Sequence, residues 1–98
     1  MIRRRVVVSG EVQGVYYRDT CRQQARAAGV AGWVRNRPDR TVEAVFEGTP
    51  DGVDRLVAWT RHGPELAIVD DVAVFEETPR ACPASTSAPP PDLPPRLL

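Results

Sequence analysis

Residues 3–29, "RRRVVVSGEVQGVYYRDTCRQQARAAG", contain a change of hydrophobic period, and that change decides the fold. Through the β-branched run, Val6 and Val8 fall on one face while Val7 and Ser9 fall on the other, so residues 3–10 are predicted as a strand ending at Gly10. From Tyr17 the spacing becomes helical: Tyr17, Cys21, Ala25 and Ala28 share one side, and Gly29 stands where a left-handed C-terminal cap belongs. A helix is therefore expected over 18–28. The two glycines, two tyrosines and arginine of "GEVQGVYYRD" (10–19) lie at the junction between the two elements.

Outward from this pair the alternation continues. "VAGWVRN" (30–36) reads as a second strand, and "RPDR" (37–40) as a turn. In "TVEAVFEG" (41–48), Val42, Ala44 and Phe46 share one face of a third strand. Thr49 then offers an N-cap with Pro50 in the first helical position, and Val53, Leu56, Val57 and Thr60 form a stripe that stops at Gly63-Pro64. "IVDDVAVFE" (68–76) completes a fourth strand. The order βαββαβ predicts an α+β, ferredoxin-like sandwich with two helices on one face of a mainly antiparallel sheet. Such a fold hosts RNA binders, regulators and enzymes, so function must be read from a site. From Pro79 the chain becomes proline-rich without periodicity, so residues 1–78 are expected as the domain and 79–98 as an extended, flexible tail.

Composition narrows the function classes. Thirteen basic and 13 acidic residues in 98 balance to zero, so no global field draws the chain to nucleic acid or an anionic membrane. Every one of those basic residues is arginine, which reads first as a compositional bias. No stretch approaches the ~20 apolar residues of a membrane span, and the N-terminus carries no signal-like apolar run, so a cytoplasmic protein is the default expectation. Cys21 and Cys82 have neither disulfide-framework density nor metal-ligand spacing. No metal and no other cofactor is expected.

The strand-to-helix loop is the one place with distinctive chemistry. A loop entering a helix N-terminus presents unpaired N–H groups and the positive end of the helix dipole, and glycine lets a ligand come close to the backbone. Arg18 lies in the first helical turn, where the dipole disfavours a cation but where a guanidinium can fork onto an anion. The alternative at this stage is a tight turn at Gly10 and Gly14 beside a solvated Arg18. Asn36 likewise has a plain reading, as turn chemistry ahead of "RPDR".

"GEVQGVYYRD", followed at matching distance by "GVAGWVRN", "VEAVFEG" and "GPELAIVDDV", resembles the acylphosphatase family pattern Gly-x-Val-Gln-Gly-Val-x-Phe-Arg, Gly-x-x-Gly-Trp-Val-x-Asn, a valine strand ending in glycine, and Gly-Pro-x-x-Ala-x-Val. The resemblance spans residues 3–76. It implies that the loop of Gln13, Gly14, Val15, Tyr16 and Tyr17 holds phosphate through backbone N–H groups, that Arg18 is the phosphate-binding arginine, and that Asn36 orients the attacking water. It implies hydrolysis of an acyl phosphate to a carboxylate and inorganic phosphate without a metal. Small acyl phosphates are then the partners, with phosphate as product and competitive inhibitor, and a monomer is expected.

The residue inventory agrees with that activity. A carboxylate leaving group, with a conjugate-acid pKa of about 4, departs at neutral pH without a general acid. The one histidine, His62, lies near the end of the second helix, where capping is its expected work. What remains is positioning and charge stabilisation, with about 3 kcal/mol available from a preorganised donor and about 7 kcal/mol or more from alignment. Tyr17, in the family's phenylalanine position, is expected to anchor the helix in the core, with Tyr16 more exposed; Trp33 and Trp59 are expected to pack. Two departures from the pattern concern stability. Arg40 stands where the family usually has glycine, and a proline-rich segment replaces the family's closing edge strand, leaving the edge beside the second strand open unless "RLL" (96–98) docks there. Two rival functions are a nucleic-acid module, which the neutral charge and missing RNP1-like run disfavour, and a phosphate- or carbamoyl-phosphate-binding domain of a larger maturation enzyme.

Overall fold

The computed structural model describes residues 1–78 and the backbone of residues 96–97. The elements are β1 (Ile2–Glu11), α1 (Tyr17–Ala28), β2 (Ala31–Asn36), β3 (Val42–Gly48), α2 (Pro50–Thr60), β4 (Ile68–Glu77) and a two-residue β5 (Arg96–Leu97). The strands form one sheet in the order β4-β1-β3-β2-β5, and every neighbouring pair is antiparallel. This is the expected split βαβ arrangement, with β3 inserted between β1 and β2.

Register places the alternating residues where their polarity requires. Val6 stands opposite Ala44 and Val74, and Val8 opposite Val42 and Val72. Val6, Val8, Val34, Val42, Ala44 and Phe46 are buried on the helix side of the sheet. They meet Tyr17, Cys21 and Ala25 from α1 and Val53 and Leu56 from α2, forming one core. Gly29 caps α1 in the left-handed region at φ 69°, and the Thr49 hydroxyl accepts from Gly52 N–H at 3.2 Å to cap α2. Burial pushes the Cys21 thiol up to about 12, so it behaves as a small apolar side chain.

The opposite face gives the arginines a structural use that a compositional reading misses. Arg3 reaches Glu47 at 3.2 Å and Glu77 at 3.0 Å, while Arg5 reaches Glu43 at 3.2 Å and Glu77 at 3.3 Å. Arg35 closes the ladder on Glu43 at 2.7 Å, both side chains being buried, and the Arg5 guanidinium lies 4.3 Å from the Phe75 ring centroid. At the buried Arg35–Glu43 pair, removing one partner would strand the other charge and is costly, while the pair itself adds little net stability. Trp33 packs on this face, 5.8 Å from the Arg35 guanidinium.

Two features of the sheet carry the chain to the loop. The β1–β4 register shifts between Ser9 and Gly10, and Gly10 sits at φ 122° with β4 so close that a Cβ there would lie 2.2 Å from the Ile68 carbonyl oxygen. Only glycine permits that approach. At the other edge, Arg96 and Leu97 pair with Val34 and Trp33, so the "RLL" docking alternative describes their backbone. The expectation of an extended, flexible tail, and the neutral reading of Cys82, lie outside the described residues for 79–95 and 98.

Candidate active site

The loop between β1 and α1 is built from alternating backbone signs. Gly14 has φ 76° and Tyr16 φ 63°, and Val15 between them is not in the positive region. Such alternation turns successive N–H groups toward one side and makes a concave, anion-binding backbone. A Cβ at Gly14 would meet no atom within 4 Å, so the φ angle, and not crowding, calls for glycine there, and the space before it is open.

Helix α1 begins without a side-chain cap. Its first turn closes through Thr20 N–H to the Tyr16 carbonyl at 3.0 Å, which leaves the Tyr17 and Arg18 N–H groups with no intrahelical acceptor. In α2 the Thr49 hydroxyl fills this role, whereas in α1 the position faces a cavity of about 310 Å³. That volume is at the lower end of the range for small-molecule sites, about 300–1,000 Å³. Gly14, Tyr16, Tyr17, Arg18 and Asn36 all line it, joined by Val12 and Asp19.

Arg18 and Asn36 come from different elements, α1 and the end of β2, yet border the same cavity. Among the described residues neither the Arg18 guanidinium nor the Asn36 side-chain amide has a hydrogen-bond or ion-pair partner. The β2–β3 turn closes without the Asn36 side chain. Arg37 N–H donates to the Thr41 carbonyl at 2.8 Å, Arg40 N–H to the Arg37 carbonyl at 3.0 Å, and the Thr41 N–H and hydroxyl to the Asp39 carboxylate at 3.1 and 2.6 Å. Those two donors, above all the hydroxyl, hold the Asp39 carboxyl below the usual carboxylate range. Arg40 takes up the glycine-like conformation that its place in the turn suggests, at φ 72°.

Gln13 and Val15 are the expected loop residues that do not border this cavity. Val15 packs partly against the core. Gln13 turns its side chain away and donates from Nε2 to the carbonyls of Arg37 and Thr41, at 2.8 and 2.9 Å. The phosphate-loop candidate is thereby tied to the turn that follows Asn36, a link across 24 and 28 residues that no local pattern signals. Tyr17 fixes the base of α1: it is 2 % exposed, its hydroxyl donates to the Thr60 carbonyl at 2.7 Å, and its ring lies 5.1 Å from that of Trp59. Burial, with the nearby Cys21 adding to it, raises the Tyr17 phenol far above its ordinary value, which keeps it neutral. His62 is exposed and caps only through its backbone, which donates to the Trp59 carbonyl at 2.9 Å. Sequence reasoning passed over Val12 and Asp19. Val12 keeps the parity of Val6 and Val8, and Asp19 is the first-turn acid that the α1 dipole favours, so both had a readable signal. Among the described residues no group of three or more His, Cys, Asp or Glu is placed to hold a metal, and no helix is long and apolar enough to cross a membrane.

The acylphosphatase family model matches residues 4–83. An acylphosphatase of Gloeobacter violaceus is 54% identical over 78 residues, covering 80% of this chain and 84% of that one. One from Pelotomaculum thermopropionicum is 57% identical over 72 residues, covering 74% and 78%. The crystal structure of an acylphosphatase from Bacillus subtilis superposes with a TM-score of 0.79 at 33% identity, covering 83% of this chain and 90% of the other. Full-length HypF, at a TM-score of 0.75 and 22% identity, shares the fold over 11% of its own chain.

Proposed function

Because the chain belongs to the acylphosphatase family and is an acylphosphatase hydrolase, we propose that the cavity at the N-terminus of α1 is its active site. The phosphoryl group of an acyl phosphate sits against the loop from Gln13 to Tyr17, bound by backbone N–H groups. The Arg18 guanidinium grips the same group. The Asn36 amide orients a water in line with the phosphorus–oxygen bond to the acyl group. The observation that carries this reading is the pair of uncommitted polar side chains, Arg18 and Asn36, bordering one cavity beside an uncapped helix start.

The chemistry follows from these positions. Water attacks phosphorus, the bond from phosphorus to the bridging oxygen breaks, and the carboxylate leaves with its electron pair. It needs no proton at neutral pH. The water's proton passes to a phosphate oxygen of the substrate. Backbone N–H groups, the helix dipole and Arg18 face the charge on the phosphoryl oxygens, and because they are fixed before reaction they cost no reorganisation during it.

The same reading makes the enzyme a cytoplasmic monomer whose domain is residues 1–78, with no cofactor and with inorganic phosphate as a competitive inhibitor. Release of phosphate from acetyl phosphate tests it, with Arg18→Ala as the decisive variant. Arg18 touches the phosphoryl group in ground and transition states, so kcat/KM should fall at least about 10³-fold and phosphate inhibition should weaken. A folded Arg18→Ala protein with parental kinetics refutes the assignment.

A further inference from the structure

We infer that the Tyr16 ring is a platform for the acyl group, favouring aromatic acyl phosphates over small aliphatic ones. This rests on the active-site assignment above and assigns a role to a side chain that the phosphate-binding scheme uses only through its backbone.

Three observations converge on the ring. The first is conformational. Tyr16 is one of two residues other than glycine with a positive φ among the described residues, at 63°, and its carbonyl is pinned by Thr20 N–H at 3.0 Å and the Thr20 hydroxyl at 2.9 Å. Glycine or asparagine suits this position without strain, so a tyrosine here calls for a use of its side chain. The second is exposure. Tyr16 is 71% exposed, in a chain whose other tyrosine is 2% exposed, and its hydroxyl has no protein partner among the described residues. The ring therefore does no packing work. The third is place. Tyr16 borders the cavity of Arg18 and Asn36, and of the apolar residues lining that cavity Val12 and Tyr17 are buried, leaving Tyr16 as the exposed one.

The in-line geometry completes the inference. With the phosphoryl group held on the loop amides and Arg18, and the water on the Asn36 side, in-line displacement puts the acyl group on the opposite side of phosphorus. Tyr16 is the exposed ring bordering this cavity, and so the apolar surface within it that is open to an acyl group. A flat aromatic acyl group gains an offset ring contact that an acetyl group cannot make, equivalent to roughly 3- to 10-fold in affinity.

The test compares kcat/KM for benzoyl phosphate and acetyl phosphate in the parent, Tyr16→Phe and Tyr16→Ala. Tyr16→Gly, which relieves the positive φ, is a second ring deletion should the alanine variant misfold. Phosphate inhibition reports the integrity of the loop in each. The expected result is a benzoyl-to-acetyl ratio kept in Tyr16→Phe and lowered about 3- to 10-fold in the ring deletions, carried by KM, with phosphate inhibition within a few-fold of the parent. An unchanged ratio in an active ring-deleted protein overturns the proposal, as does a parallel loss on both substrates with weakened phosphate inhibition, which would make the ring a support of the loop. A parent that hydrolyses neither substrate refutes the active-site assignment itself and this inference with it.

Discussion

Replacing Asn36 by alanine separates chemistry from folding, because the structure divides the residue's two possible jobs. Its backbone belongs to the β2–β3 ladder, opposite Val42, and alanine keeps those hydrogen bonds. Its side chain has no partner among the described residues, and the 37–41 turn is held by Arg37, Asp39, Arg40 and Thr41 without it. The stability cost should therefore stay within about 0.5 kcal/mol. For a domain of this size that is a Tm change of roughly 2–4 °C. The catalytic cost is far larger. A fixed polar group aimed at the reacting centre is worth about 3–4 kcal/mol, so kcat should fall about 10²- to 10³-fold. Since the amide is assigned to the water and not to the phosphoryl group, inhibition by inorganic phosphate should stay within a few-fold of the parent. The assay is initial-rate release of phosphate from benzoyl phosphate, with and without added phosphate, alongside thermal melting by circular dichroism. A folded Asn36→Ala protein with parental kcat would remove Asn36 from the mechanism. Loss of phosphate inhibition in step with kcat would make it a ligand-binding residue, and a large fall in Tm would return it to turn formation.

Gln13→Ala should lower both stability and rate, because the two carbonyls it serves lose net bonds of about 1 kcal/mol each; a Tm drop of roughly 8–16 °C is expected, and unchanged melting and kcat would show that the loop needs no tie to the turn. Arg40→Gly removes a left-handed strain of about 1 kcal/mol while adding some of glycine's unfolded-state entropy, about 0.5–1 kcal/mol. Its Tm should be unchanged or up to about 4 °C higher, and a marked fall would mean that the turn depends on the Arg40 side chain. Truncation after Thr78 removes β5, which pairs with Trp33 and Val34 and not with Asn36; phosphate release should persist with a lowered Tm, and an unfolded or inactive product would extend the domain into the last 20 residues.

Local order in the sequence determined the elements from β1 to β4, the core face and the position of the loop. Alternation along Val6 and Val8, or along Val42, Ala44 and Phe46, and helical spacing from Tyr17 to Ala28, are properties of neighbouring residues, and each period admits only one backbone that buries its apolar set. Gly29 and Thr49 marked helix ends for the same reason: a cap is satisfied within a few residues of its own chain. Within the run from Gly10 to Arg18, Gly14, Tyr16, Tyr17 and Arg18 border one cavity together with Asn36, while Gln13 and Val15 do not line it. Tertiary structure alone decided what each of these side chains answers to. Gln13 joins the loop to the β2–β3 turn only once β1, β3 and β2 lie side by side in register. Arg3, Arg5 and Arg35 read as composition until pairing sets Glu43, Glu47 and Glu77 beside them. The positive φ of Tyr16 is likewise set by the loop's closure onto α1 and not by the residue's own preference. Local periodicity is written in adjacent residues, whereas a contact across the sheet depends on strand order and register, which the whole core fixes at once.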